Sequence, residues 1–152
     1  MKEKIKIGYT QGVYDMFHIG HLNLLKHAKE QCDYLIVGVN ADRLVQEYKH
    51  KKPIVGEKER MSIVKAIRYV DQCVIVDSLD KLEQWKKYHF DAIFIGSDWK
   101  GNKRWRQTEE ELEPFGAEVI YLEYTKGVSS TFLRDKDGVD EQNEMEGTIK
   151  RI

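Results

Sequence analysis

The chain has 152 residues, of which 34% are charged and 41% hydrophobic, and its net charge is −1. That length suits one domain with its own core, and the balanced charge supplies no bulk basic field for a nucleic-acid partner. No apolar run approaches the roughly 18 residues of a membrane span and no signal-peptide pattern opens the chain, so a cytoplasmic protein is expected.

Taken in order, residues 4–10 alternate as a strand should and then turn glycine-rich. Residues 19–31 follow as a helix, with Leu22, Leu25 and Ala28 on one face. Residues 33–39 form a nearly continuous apolar run, the pattern of a parallel strand buried on both faces. A polar stretch over 40–57 is expected to hold a short helix and a basic loop, Lys49-His50-Lys51-Lys52. Residues 57–69 repeat Met61, Val64 and Ile67 at helical spacing. Further strands are expected over 73–76, 92–96 and 118–122, with helices over 79–88 and near 108–114. Residues 129–134 read as the opening of a last helix, and 135–152 as a polar tail. Strands alternating with helices predict an α/β fold: one Rossmann-like domain with a five-stranded parallel sheet flanked by helices. Ligands in such sheets bind beyond the carboxyl ends of the strands. Cys32 and Cys73 each adjoin a strand and have no paired ligand spacing, so both are expected to be buried free thiols.

The chemistry concentrates in Gly12-Val13-Tyr14-Asp15-Met16-Phe17-His18-Ile19-Gly20-His21. This segment links the first strand to the first helix. Two imidazoles three residues apart at a helix start share one space, beside backbone N–H groups and the positive end of the helix dipole, which suit phosphate. Gly12 would let backbone approach a phosphate, and Gly20 would keep the space between the rings open. Nucleotidyl transfer needs such a site. An oxygen of the acceptor attacks the α-phosphorus of a nucleoside triphosphate, and the protein holds the reactants in line and stabilises charge on oxygen.

Elsewhere Asp98, following the fourth strand, suits an amino-group donor such as the exocyclic amine of cytosine. Trp99 beside it could wall the base or plug the cleft. Arg68 could complement a helix dipole, and Ser129, Ser130 and Thr131 could cap a helix or face phosphates. The lysine run could be no more than a solvated face.

The segment from Gly12 to His21 resembles the nucleotidyltransferase signature G-x-[FY]-D-x-x-H-x-G-H. Three later segments, Ile67-Arg68-Tyr69-Val70-Asp71, Gly96-Ser97-Asp98-Trp99-Lys100-Gly101 and Thr125-Lys126-Gly127-Val128-Ser129-Ser130-Thr131, are similar in order and spacing to small bacterial cytidylyltransferases, above all those acting on glycerol 3-phosphate. The resemblance implies a domain over 1–134 that transfers CMP from CTP to a small phosphorylated alcohol, releasing pyrophosphate, and CDP-glycerol feeding teichoic acid or capsule assembly. It implies catalysis by His18, His21 and Lys51. It assigns nucleotide contacts to Gly12, Val13, Tyr14, His18, Gly20, His21, Arg68 and Asp98, and to Thr125, Gly127, Ser129, Ser130, Thr131 and Arg134. Asp15, Lys49, Lys51 and Lys81 would meet the acceptor, and Arg60 would organise the basic loop. Mg²⁺ would be held mainly by the CTP phosphates with no protein ligand, and a homodimer is expected. The chain departs from the family pattern at Ser97, where a second acid is usual, and at Tyr124, where an arginine is usual; Lys126 or Arg134 is expected to replace that cation. Three rival readings remain at this level: phosphocholine or phosphoethanolamine as acceptor, an adenylyltransferase, and a non-catalytic nucleotide-binding module.

Overall fold

The computed structural model describes residues 5–123. The chain runs β1 (Ile5–Gly12), α1 (Ile19–Glu30), β2 (Cys32–Asn40), α2 (Asp42–Lys49), α3 (Glu57–Lys65), β3 (Gln72–Val76), α4 (Lys81–Tyr88), β4 (Ala92–Gly96), a 3₁₀ turn (Ser97–Trp99), α5 (Lys103–Leu112), a second 3₁₀ turn (Glu113–Phe115) and β5 (Glu118–Leu122). The strands form one sheet in the order β3-β2-β1-β4-β5, and every pairing is parallel. The chain winds outward from β1 to β3, returns through α4 to the other side of β1, and winds outward again. The order reverses between β1 and β4, where open α/β sheets form a ligand crevice.

Strand alternation sorts the core into two layers. Leu35, Val37 and Val39 of β2 meet Leu24, Leu25 and Ala28 of α1 and Val64 of α3 on one face. Tyr9, Ile36, Ile93 and Ile95 meet Trp105 and Leu112 of α5 on the other, with Leu82 and Trp85 of α4 against them. The Tyr9 ring stacks on Phe90 at 5.0 Å between centroids and on Tyr88 at 5.9 Å. Gly38 makes room for its hydroxyl: a Cβ there would lie 2.7 Å from the Tyr9 oxygen. That oxygen instead donates to Gln11 Oε1 at 2.6 Å.

β1, α1 and β2 lie close to their expected bounds, α2 is the short helix expected within 40–57, and α3 ends at Lys65, short of the expected 69. The helix expected near 108–114 begins earlier, at Lys103. The reason is a cap: the Asn102 side chain accepts from the N–H groups of Arg104 and Trp105, and Trp105, Thr108 and Leu112 then form the buried stripe. The crowd of charges around them hid the period. Cys32 is buried and Cys73 partly buried, both as free thiols, and burial pushes the Cys73 thiol up to about 11. No helix among the described residues is long and apolar enough to cross a membrane. The helix expected over 129–134 and the boundary at 134 lie outside the described residues.

Candidate active site

β1 ends at Gly12, and the loop to α1 is bent sharply. Tyr14 and Met16 both have positive φ, 56° and 51°. Left-handed backbone at non-glycine residues costs on the order of 1–3 kcal/mol and persists only where surrounding contacts impose it. Those contacts are visible. Tyr14 is 2% exposed, and its ring meets His21 edge-on at 5.4 Å. Phe17 covers the same imidazole at 5.2 Å.

The bend brings the two imidazoles into a stack, with centroids 4.0 Å apart. The open gap expected at Gly20 is therefore absent. Both rings are tied by the helix start itself. The Gly20 N–H donates to His18 Nδ1 at 3.0 Å, and the His18 N–H donates to His21 Nδ1 at 3.1 Å. The imidazoles thus form a capping box of the kind usually built from Ser and Glu. Two amides expected to be open to phosphate are consumed in this way. What is presented in exchange is stronger chemistry. A ring nitrogen that accepts an amide hydrogen carries none of its own, so in each neutral ring the hydrogen sits on Nε2. His18 Nε2 is buried with no hydrogen-bond partner among the described residues. Burial lowers the pKa of His18. It pulls His21 down to about 3, and the adjacent His18 adds to that effect. Both rings are therefore neutral near pH 7, preorganised donors rather than proton carriers.

A buried arginine holds the surroundings. The Arg60 guanidinium, from α3, donates to the carbonyls of Val13 (2.7 Å), Asn40 (2.8 Å) and Val55 (2.7 Å) and pairs with Asp42 at 2.6 Å. One side chain thereby fixes the ends of β1 and β2 and the loop behind the basic segment. Asp15 works on the same loop. Its carboxylate accepts from the N–H groups of Ile54 and Val55 at 2.8 and 2.9 Å. Asp15 therefore couples the imidazole loop to the segment carrying Lys51, a structural task beside the acceptor role expected for it.

The other expected residues divide. Val13 is buried and supplies a carbonyl to Arg60. Lys49 closes α2, which starts directly after the carboxyl end of β2, and Lys51 is exposed in the loop beyond it. Asp98 is exposed in the 3₁₀ turn after β4, next to the reversal in strand order. Lys81, the first residue of α4, donates to the Leu79 carbonyl and lines a pocket that reaches Gly12. Arg68 is not brought to the imidazoles. It is exposed over the Tyr69 ring, in the turn that enters β3 at its amino end, whereas His18 and Asp98 follow the carboxyl ends of β1 and β4. Its neighbour Asp71 is structural there, accepting from the Leu35 N–H and Lys29. Thr125, Gly127, Ser129, Ser130, Thr131 and Arg134, together with Tyr124 and Lys126, lie outside the described residues.

Three polar residues joined to this site were not singled out in the sequence: Gln11, Asn40 and Tyr48. Gln11 Nε2 donates to Asn40 Oδ1 and to the Ser78 carbonyl, both at 2.9 Å, and Asn40 Nδ2 donates to the Tyr48 hydroxyl at 3.1 Å. The signal was present as amide side chains at the ends of two apolar strands. A buried polar group is retained there only with partners, and strand ends are where a parallel sheet meets ligands. Among the described residues no group of three or more His, Cys, Asp or Glu could hold a metal ion.

The cytidylyltransferase-like family model matches residues 9–136. A glycerol-3-phosphate cytidylyltransferase of Staphylococcus aureus is 35% identical over 128 residues, covering 84% of this chain and 91% of that one. A FAD synthase of Thermococcus sibiricus is 36% identical over 124 residues, covering 81% and 83%. The crystal structure of a lipopolysaccharide core biosynthesis protein from Thermoplasma volcanium GSS1 superposes with a TM-score of 0.67 at 24% identity, over 82% of this chain and 99% of that one, which speaks to the fold. A doubly wound sheet, paired imidazoles at the head of its first helix and a match spanning most of the sequence together place this chain in the cytidylyltransferase-like family of nucleotidyltransferases.

Proposed function

We propose that the protein transfers CMP from CTP to a small phosphorylated alcohol, with glycerol 3-phosphate the leading acceptor, releasing pyrophosphate. One observation carries the reading: both imidazoles are locked through Nδ1, so their Nε2 hydrogens stand ready at the head of α1. In the reaction an acceptor phosphate oxygen bonds to the α-phosphorus of CTP and the bond to the bridging β-phosphate oxygen breaks. Charge grows on the α-phosphoryl and leaving oxygens, and neutral Nε2–H donors stabilise it without giving up a proton. An unpaired buried donor costs about 1–3 kcal/mol in the free protein, so part of the stabilisation appears only when phosphate oxygens arrive.

Lys49 and Lys51 would meet the acceptor's phosphate as compact, mobile charges, with Asp98 accepting from the cytosine amine. Thr125, Gly127, Ser129, Ser130, Thr131 and Arg134 would contact the nucleotide, Ser129, Ser130 and Thr131 at its β- and γ-phosphates. Mg²⁺ would enter as part of the magnesium–triphosphate substrate, held by phosphate oxygens and water. The glycerol-3-phosphate cytidylyltransferase relative supports this acceptor, and the FAD synthase relative keeps adenylyl transfer as the second reading. A homodimer working on precursors of teichoic acid or capsule fits the same reading.

The deciding experiment measures pyrophosphate release over a grid of four nucleoside triphosphates and a series of phospho-alcohols. CTP with glycerol 3-phosphate should give the highest kcat/KM. Dominance of ATP would replace this reading with adenylyl transfer, and no release with any pair would remove it.

A further inference from the structure

At the carboxyl ends of β1 and β2 a buried amide network runs from the core to two helices. Gln11, the penultimate residue of β1, is 6% exposed. Its Nε2 donates to the Ser78 carbonyl and to Asn40 Oδ1, both at 2.9 Å, and its Oε1 accepts from the Tyr9 hydroxyl at 2.6 Å. One atom fixes every direction in the network. The Ser78 main-chain carbonyl can only accept, so the amide nitrogen of Gln11 faces it. Oε1 then faces Tyr9, whose hydroxyl donates. The second Nε2 hydrogen goes to Asn40, which meets it with Oδ1 and so turns Nδ2 to the Tyr48 hydroxyl at 3.1 Å. Both hydrogens of Gln11 Nε2 are spent, and each amide holds one orientation.

The two donated hydrogens lead to different helices. Through Asn40 and Tyr48 one reaches α2, which ends at Lys49. Through Ser78 the other reaches α4. The Ser78 hydroxyl accepts from the Asp80 N–H at 3.1 Å, and the Asp80 carboxylate caps α4 by accepting from the N–H groups of Leu82 and Glu83. Both helices have eight residues, and α2 has no side-chain cap. Isolated helices below roughly 12 residues are marginal in water, so tertiary ties set where these two stand. The locks on the imidazoles lie outside this network. They close within residues 18–21, and Arg60 holds Val13 and Asn40 by their main-chain carbonyls. Loss of the Gln11 amide would therefore loosen both helix ends and leave the imidazoles fastened.

We infer that Gln11 is a positioning residue: its one buried amide yokes the end of α2 and the start of α4 to the strand that leads into the imidazole loop, and so sets the acceptor-binding side against the donors on α1. It acts through Asn40 and Ser78. This rests on the proposed reading that Lys49 meets the acceptor's phosphate.

The test compares wild type, Gln11→Met, Tyr48→Phe and Tyr9→Phe by CTP-dependent pyrophosphate release with glycerol 3-phosphate and by amide hydrogen exchange, with melting curves to verify folding. Gln11→Met keeps the bulk and removes both donated hydrogens. It should raise KM for glycerol 3-phosphate by about tenfold, with kcat and KM for CTP within about threefold of wild type, the pattern of lost binding and not of a lost transition-state contact. Exchange should quicken at α2 and at the start of α4. Tyr48→Phe cuts one arm, and exchange should quicken at α2 alone. Tyr9→Phe removes a buried hydrogen bond to the same amide but cuts neither arm, so it should lower Tm and leave KM for glycerol 3-phosphate unchanged. An equal rise of KM in Gln11→Met and Tyr9→Phe is what a general loss of stability gives, and it overturns the inference. Unchanged exchange at α2 and α4 in Gln11→Met, or a fall in kcat with KM retained, overturns it as well. If Gln11→Met does not fold, quickened exchange at α2 in Tyr48→Phe but not in Tyr9→Phe supports the yoke, and the same exchange in both overturns it. A wild type that releases no pyrophosphate with any acceptor would sink cytidylyl transfer alone, and the exchange pattern would still decide what Gln11 holds.

Discussion

At the head of α1, His21 is 2% exposed, Tyr14 and Phe17 wall its ring, and each Nδ1 is fastened to a backbone amide. Across β1, the pocket of Lys81, Trp99 and Arg104 is bordered by partly buried and exposed side chains on α4, α5 and the turn after β4. The first region allows its groups one arrangement; in the second, long cationic side chains border an open space. The fixed arrangement at the head of α1 fits the chemistry proposed for it. A transition state gains most from donors that need no reorganisation, and α-phosphorus chemistry is the same for every acceptor.

The sharpest way to break this comparison is to remove a locked donor. His21→Ala should lower turnover by about two to three decades, the scale of losing one oxyanion donor, with the far-ultraviolet spectrum retained. Near-wild-type turnover would move the chemistry elsewhere. Next in size is the clamp behind the donors. Arg60→Met leaves three carbonyls without their donor and takes the cation from Asp42, and should destabilise the fold by about 3 kcal/mol in denaturant unfolding, the scale of leaving buried acceptors unsatisfied. A loss below about 1 kcal/mol, the range of surface ion pairs, would mean that the loop holds itself.

The smallest effect is set by pH. The folded chain protonates His21 only near pH 3, against an ordinary value of 6.5. Between those values the unfolded chain binds a proton that the folded chain refuses. The contribution is intact above 6.5 and is lost as pH falls toward 3. At pH 5 the loss should be about 2 kcal/mol, measured as the difference between unfolding curves at pH 7 and pH 5. His21→Asn should lack that increment. In the wild type, turnover should show no falling limb near pH 6.5 from His21.

Much of this was legible in the sequence because it is local. The strand–glycine–helix setting of His18 and His21, the apolar run of β2 and the helical spacing of Met61 and Val64 in α3 all express contacts within a few residues. The nucleotide side could be read to the same depth only where motifs are contiguous, as at Gly96 to Gly101. Less legible were features that depend on partners far along the chain. Nothing near Arg60 shows that its guanidinium reaches Val13 and Asn40, 47 and 20 residues away. Asp15 reads as a loose acid until Ile54 and Val55 fold over it. Arg68 sits in a motif yet enters β3 at its amino end, a placement fixed by strand direction.

By itself, the sequence determined the alternation of strands and helices and the setting of two imidazoles at a helix start, since short-range hydrophobic period and helix-start geometry are written in neighbouring residues. Only the tertiary structure decided which ring nitrogen holds the hydrogen, how closely the imidazoles stack, and that Lys81 stands over the Trp105 ring. Those outcomes depend on burial and on groups from separate strands and helices, brought within hydrogen-bonding distance once the sheet has closed.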